Sequence, residues 1–167
     1  MPELSPFTEA DAAIVAAQLG RPARGVAAVA WRCPCGKPGV LATGPRLSDG
    51  TPFPTTYYLT CPRASSACST LEASGLMTEF SERLVAEPEL AAAYARAHVA
   101  YLVQRSKLGE VPEIDGISAG GMPKRVKCLH ALLGHALAAG PGVNPIGDEV
   151  LARLGEFWQR PCLADHE

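Results

Sequence analysis

The sequence predicts a single α+β domain, a small antiparallel sheet of about three strands covered by five or six helices. Three observations predict it. The chain has 167 residues, 47% hydrophobic and 19% charged, which suits one compact domain with a buried core. Short β-branched and aromatic runs bounded by Pro and Gly fill the stretch from about residue 26 to 60, as strands and their turns require. From Arg63 onward the apolar residues recur at helical spacing. The expected division is an N-terminal helix and linker over 1–24, the α+β domain over 25–160, and a tail over 161–167.

Thr8 with Asp11 three residues later resembles a capping box, and Gly20 supplies a stop, so E-A-D-A-A-I-V-A-A-Q-L is a first helix. After the turn R21-P-A-R-G25, V-A-A-V-A-W-R reads as a strand running into Cys33. G39-V-L-A-T43 and T55-T-Y-Y-L-T60 are strand-like as well, and the Pro/Gly/Asp-rich segment between them is a loop. Three helical patterns follow: the small-residue segment after Arg63, T-E-F-S-E-R-L-V-A, and a long one from Pro88 with Pro in its first turn. Tyr94, His98, Tyr101 and Leu102 form the buried stripe of that long helix. After a Gly-rich loop, a helix is expected from Pro123 to Gly140, then a short one around Asp148.

The formal net charge is −2 and no basic run exceeds Lys124-Arg125, which argues against a general nucleic-acid binder. The N-terminus carries acidic residues and no basic region, a poor match to a signal peptide. No stretch reaches the roughly 18 uninterrupted apolar residues of a spanning helix. The expectation is a cytoplasmic protein without membrane or nucleic-acid partners. In a reducing compartment, six cysteines are expected as free thiols or metal ligands rather than disulfides.

Cys33 follows one strand and Cys61 ends another, so pairing of those strands brings both thiols to one sheet end. C33-P-C35 is tighter than the usual zinc-knuckle spacing of two to four residues. On a helix starting at Pro123, at roughly 100° per residue, Cys128 and His135 share one edge and His130 falls on the opposite edge. Cys128 then joins Cys33 and Cys61 if this helix packs over the sheet end. His135 is two turns away, roughly 10 Å, too far to bind the same ion but placed to act as a proton donor or acceptor. Burial as small hydrophobes and as a core histidine is the competing reading for these groups. Cys68 reads as core. Ahead of the same helix, S118-A-G-G-M-P-K-R-V-K127 puts Gly120 and Gly121 before a helix start flanked by Lys124 and Arg125. Such a start binds a small anion through free amides, unless the cations are simply solvated. Asp148 is an acid/base candidate, with helix N-terminal charge as its competing role.

The segments R32-C-P-C-G36, D49-G-T-P-F-P-T-T-Y-Y-L-T-C-P62, L71-E-A-S-G75, S118-A-G-G-M-P-K-R-V-K-C-L-H130 and G140-P-G-V-N-P-I-G-D-E149 together resemble the bacterial family called domain of unknown function 501. The likeness runs from about Ala27 to Trp158. It implies an actinobacterial-type member, with genome neighbours of the septum-formation-initiator and exopolyphosphatase-like kinds, and it carries no reaction with it. Matching the family pattern implies Cys33, Cys61 and Cys128 as ligands, with Cys35 variable. Three thiolates leave an open position on zinc or on one iron of an iron–sulfur cluster, whereas four with Cys35 make a closed site. The expected function is a cysteine-ligated metal protein, iron–sulfur or zinc, that takes a small anionic ligand. The alternatives are an interaction module linked to cell division or the envelope, and a metal-free protein in which Cys128 is a nucleophile activated by nearby positive charge and a histidine from another element.

Overall fold

The computed structural model describes residues 2–163. Its α+β architecture has a three-stranded antiparallel sheet in the order β1-β2-β3, with β1 at Val26–Arg32, β2 at Pro38–Thr43 and β3 at Tyr57–Leu59. Six α-helices among the described residues pack on it: α1 Glu9–Leu19, α2 Pro62–Ala73, α3 Leu76–Ala86, α4 Pro88–Leu108, α5 Leu129–Ala139 and α6 Pro145–Leu154. No helix among them is long and apolar enough to cross a membrane.

Alternation along the strands divides the core in two. Val29 and Leu41 are register partners and face α1, where they bury Val15 and pack against Phe7 and Leu19. Ala30, Val40, Ala42, Tyr57 and Leu59 belong to the larger cluster, with Leu129, Leu132 and Leu133 of α5. The sheet is therefore covered on both faces. β2, in the middle, is buried at every position.

The expected capping box closes α1: Thr8 Oγ1 accepts the Asp11 N–H, and an Asp11 carboxylate oxygen accepts the Thr8 N–H. Asp11 also receives two hydrogen bonds from Arg32 of β1, at 2.9 and 2.8 Å. Ser5 and Val29 exchange backbone hydrogen bonds at 2.9 and 2.8 Å. The N-terminal helix and its preceding segment thus pack on the sheet as one of its layers.

The helix expected from Pro123 begins only at Leu129. Residues 120–127 form a turn instead, closed by the Lys127 N–H on the Gly120 carbonyl (2.7 Å) and the Arg125 N–H on the Gly121 carbonyl (3.1 Å). Gly120 and Gly121 both have positive φ, 68° and 93°. A Cβ on Gly120 would meet the Leu132 side chain at 2.7 Å, and one on Gly121 the Arg125 carbonyl at 2.6 Å. These glycines are demanded by backbone shape and close packing.

α5 is the central helix, buried on most sides. Small residues admit its neighbours: Gly134 lies under the Tyr57 carbonyl, and Gly147 of α6 under the Leu132 carbonyl, where an added Cβ would approach to 2.9 and 2.2 Å. His98 of α4 meets Ser118 at 2.8 Å, while Tyr94 and Tyr101 form the buried stripe.

Candidate functional site

The late start of α5 decides the chemistry at its N-terminus. Cys128 is the N-cap, with extended backbone (φ −150°, ψ 109°), so its side chain does not follow the helical wheel. It turns toward His130 in the first turn, and both face Glu72 in the last turn of α2. One ligand atom from each of Glu72, Cys128 and His130 lies within 4.8 Å of the other two. The separation of Cys128 and His130 expected from a helix beginning at Pro123 is corrected by this cap geometry.

Hydrogen bonds fix each group. Glu72 Oε1 accepts the Leu129 N–H at 2.8 Å, an amide that the helix itself leaves without a partner, and meets His130 Nδ1 at 2.9 Å. His130 Nε2 lies 3.1 Å from the Ser65 carbonyl and 3.3 Å from Ser69 Oγ. A carbonyl only accepts, so Nε2 carries a hydrogen, and the carboxylate at Nδ1 favours a second one. His130 is thereby held as an imidazolium, its pKa raised to about 9 by the hydrogen bond to Cys128, against the effect of burial, and by Glu72. Burial pushes the Cys128 thiol up, but the His130 hydrogen bond and the Ala131 N–H outweigh it and leave its pKa below the ordinary value. The site reaches the surface, with the His130 and Glu72 side chains 27% and 25% exposed.

The remaining expected ligands gather elsewhere. Cys33 and Cys35 occupy the β1–β2 turn, Cys61 caps α2, and Cys162 packs beside them with its sulfur 3.7 Å from that of Cys35. Burial pushes the Cys33 thiol up to about 12. At Cys35 burial acts in the same direction, but the N–H groups of Lys37 and Cys162 and the neighbouring thiols bring it down to about 7. Among the described residues, only Glu72, Cys128 and His130 meet the 4.8 Å spacing in a group of three or more potential ligands. The proposed quartet Cys33, Cys35, Cys61 and Cys128 is divided between two places because α5 starts beside α2, whereas the C-terminal segment reaches the sheet end.

His135 is a core residue, 1% exposed. It stacks on Tyr57 (ring centroids 5.5 Å apart) and meets Tyr101 edge-on (5.1 Å). Its Nδ1 accepts from Asn144 Nδ2 at 3.1 Å. Asn144 Oδ1 is committed to the Gly147 N–H as the α6 N-cap, which fixes the amide and leaves Nδ1 unprotonated. Asp148 accepts the Gly142 N–H at 2.8 Å and serves the turn before α6. Lys124 and Arg125 are exposed in the 120–127 turn rather than on a helix. The α5 start expected to bind an external anion is satisfied internally, by the Glu72 carboxylate and the Cys128 sulfur.

Sequence reasoning missed Glu72 and assigned His130 to the wrong edge. The signal for Glu72 was its place in L71-E-A-S-G75, but nothing local ties it to a residue 58 positions later.

No curated protein and no solved structure matches the chain. A family model matches residues 29–152, a span that includes Glu72, Cys128 and His130 and ends before Cys162. The match covers most of the chain, which belongs to the family described as Protein of unknown function (DUF501).

Proposed function

We propose that this chain is a metal-binding protein whose centre is Glu72, Cys128 and His130, with an open coordination position for a small anionic oxygen ligand or water. The carrying observation is the convergence of one carboxylate, one thiol and one imidazole within 4.8 Å, from two helices, at the surface. The outer contacts suit the reading. A metal-bound histidine commonly donates its other N–H to a carbonyl, and the Ser65 carbonyl lies at His130 Nε2. An ion would replace the proton at Nδ1 and compensate the same two anionic groups.

The donor set favours zinc over an iron–sulfur cluster. Clusters are held mainly by thiolates, whereas zinc accepts sulfur, nitrogen and oxygen together. Three protein ligands are the pattern of a zinc that lowers the pKa of bound water or polarises an oxygen of a substrate, so hydrolytic chemistry on a small oxyanion is the activity to seek.

Metal content decides the matter. Protein purified anaerobically without chelator should carry close to one equivalent of zinc. Glu72→Gln, Cys128→Ser and His130→Gln should each lose most of it, while Cys33→Ser and Cys61→Ser retain it. Less than a tenth of an equivalent in the parent, with no cobalt(II)–thiolate band on reconstitution, would falsify this reading.

One observation favours a second reading. Cys128 sits at a helix N-terminus with the Ala131 N–H on its sulfur and His130 beside it, itself held by Glu72. That is the environment of a nucleophilic thiolate with its base and orienting carboxylate. It predicts that metal-free protein is alkylated by iodoacetamide at Cys128 well before Cys33 or Cys61. Equal rates at the three would count against it.

A further inference from the structure

Of the five cysteines outside that centre, Cys68 is buried within α2 and the other four share one place in the fold but not one chemistry. No three of Cys33, Cys35, Cys61 and Cys162 have sulfurs mutually within 4.8 Å, so they make no ready cage for an ion. Two of them do touch. Cys35 Sγ and Cys162 Sγ are 3.7 Å apart, while the residues are 127 positions apart in the chain.

The surroundings distinguish these two thiols. Cys33 and Cys61 are 3% and 1% exposed, whereas Cys35 is only half-buried and open to a small reagent. Burial opposes a negative sulfur at Cys35, but the N–H groups of Lys37 and Cys162 and the adjoining Cys33 and Cys162 thiols outweigh it. Cys162 is buried behind it, and Gln18 Nε2 lies 3.4 Å from its sulfur. The Pro161 carbonyl accepts from Arg63 Nε at 2.7 Å, which holds the segment against the start of α2. An accessible sulfur with stabilising donors, backed by a second thiol in contact, is the arrangement of a peroxidatic and a resolving cysteine.

We infer that Cys35 and Cys162 form a dithiol pair that a hydroperoxide converts to a disulfide, tying the C-terminal segment to the β1–β2 turn. The Cys35 thiolate attacks the terminal peroxide oxygen, the O–O bond breaks, and the alcohol leaves after taking a proton. Cys35 is then a sulfenic acid. The Cys162 sulfur attacks it, the S–O bond breaks, and hydroxide departs as water with the proton given up by the Cys162 thiol. Two electrons pass from the sulfurs to the peroxide, and a dithiol such as dithiothreitol returns them. A link closing so long a loop restricts the unfolded chain strongly, so oxidation raises thermal stability reversibly.

The test uses the reduced full-length chain, one equivalent of tert-butyl hydroperoxide, and trapping of residual thiols with N-ethylmaleimide before peptide mapping. The expected result is one major cross-link, Cys35 to Cys162, with a higher midpoint of thermal unfolding that dithiothreitol reverses. Cys162→Ser should halt the reaction at Cys35 as a sulfenic acid captured by dimedone. Cys35→Ser should slow oxidation of Cys162 by about tenfold or more, since a buried thiol lacking the stabilised partner reacts poorly. The inference is overturned if both thiols remain alkylatable after excess peroxide, or if Cys35 is linked mainly to Cys33. It is equally overturned if Cys162→Ser yields no dimedone adduct at Cys35. The outcome is independent of the metal reading, because neither residue belongs to that centre.

Discussion

At the scale of single residues, histidine shows how much environment decides role. His130 and His135 are five positions apart on one helix, yet the first is pushed up to about 9 and the second down to about 4. The first has a carboxylate and a thiol beside it. The second has two tyrosine rings and an amide donor, and burial alone disfavours its charge. Because the unfolded state binds a proton near pH 6.5 and the folded state only near 4, the unfolded chain holds more protons between those values. Stability contributed by neutral His135 is complete above that window and lost as pH falls through it, by about 3 kcal/mol. Thermal unfolding followed from pH 7 to pH 4 should show a smaller loss in His135→Leu than in the parent, whatever the absolute stability of the variant. Parallel curves would remove His135 as the source. A sequence cannot separate these two histidines, since both sit in an apolar helix and their partners come from Tyr57, Glu72 and Tyr101.

At the scale of elements, what was legible depended on whether the signal was local. The capping box of α1 and the proline opening α4 are local, and both lie where the sequence puts them. The start of α5 is not local. Pro123 with basic residues after it reads as a helix start, but the turn over 120–127 is set by contacts of Gly121 with Arg125 and of Gly120 with Leu132. That shift changed the candidate site, because a cysteine at an N-cap aims differently from one on a helix face. The crossing of α5 and α6 gives a prediction of defined sign. Gly147→Ala would gain about 1 kcal/mol of helix propensity if the position were open. Its Cβ would instead lie 2.2 Å from the Leu132 carbonyl and 2.7 Å from Ala136 Cβ. Backbone cannot move aside as a side-chain tip can, so the clash wins and the net loss should be about 2 kcal/mol or more. Urea unfolding that places Gly147→Ala at or above the parent would refute this account of the crossing. A parallel cost is expected at Glu72→Ala, where the Leu129 N–H loses a charged acceptor; about 2 kcal/mol should be lost by the same measurement.

At the scale of the whole molecule, the sheet is thin and depends on cover from both sides. α5 covers one face. The other is closed by the N-terminal helix and linker, whose attachment rests on long-range contacts that no periodicity reveals. Val15 fits against Val29 and Leu41, all at most 1% exposed, while the Asp11 carboxylate spans to Arg32. Removing residues 1–24 would uncover Val29 and Leu41 and delete Val15, a loss of about 5 kcal/mol at roughly 1.5 to 3 kcal/mol per buried side chain. Domains hold only about 5 to 15 kcal/mol in total, so a chain beginning at residue 25 should be partly unfolded or aggregated at room temperature, not a trimmed stable core. Circular dichroism and size-exclusion chromatography read this directly, and a monomeric chain with the parent's unfolding midpoint would refute it. Asp11→Asn separates the charge from the packing. Hydrogen bonding and attraction from Arg32, opposed by burial, hold the Asp11 carboxyl well below the usual carboxylate range. The stability it contributes is therefore present above the ordinary carboxylate pKa and lost as pH falls toward the depressed folded value. Asp11→Asn should lower stability by about 2 kcal/mol at pH 7 and by progressively less as the medium is acidified below pH 4. A deficit that stays constant down to acid pH would assign the segment's hold to apolar packing and the cap alone.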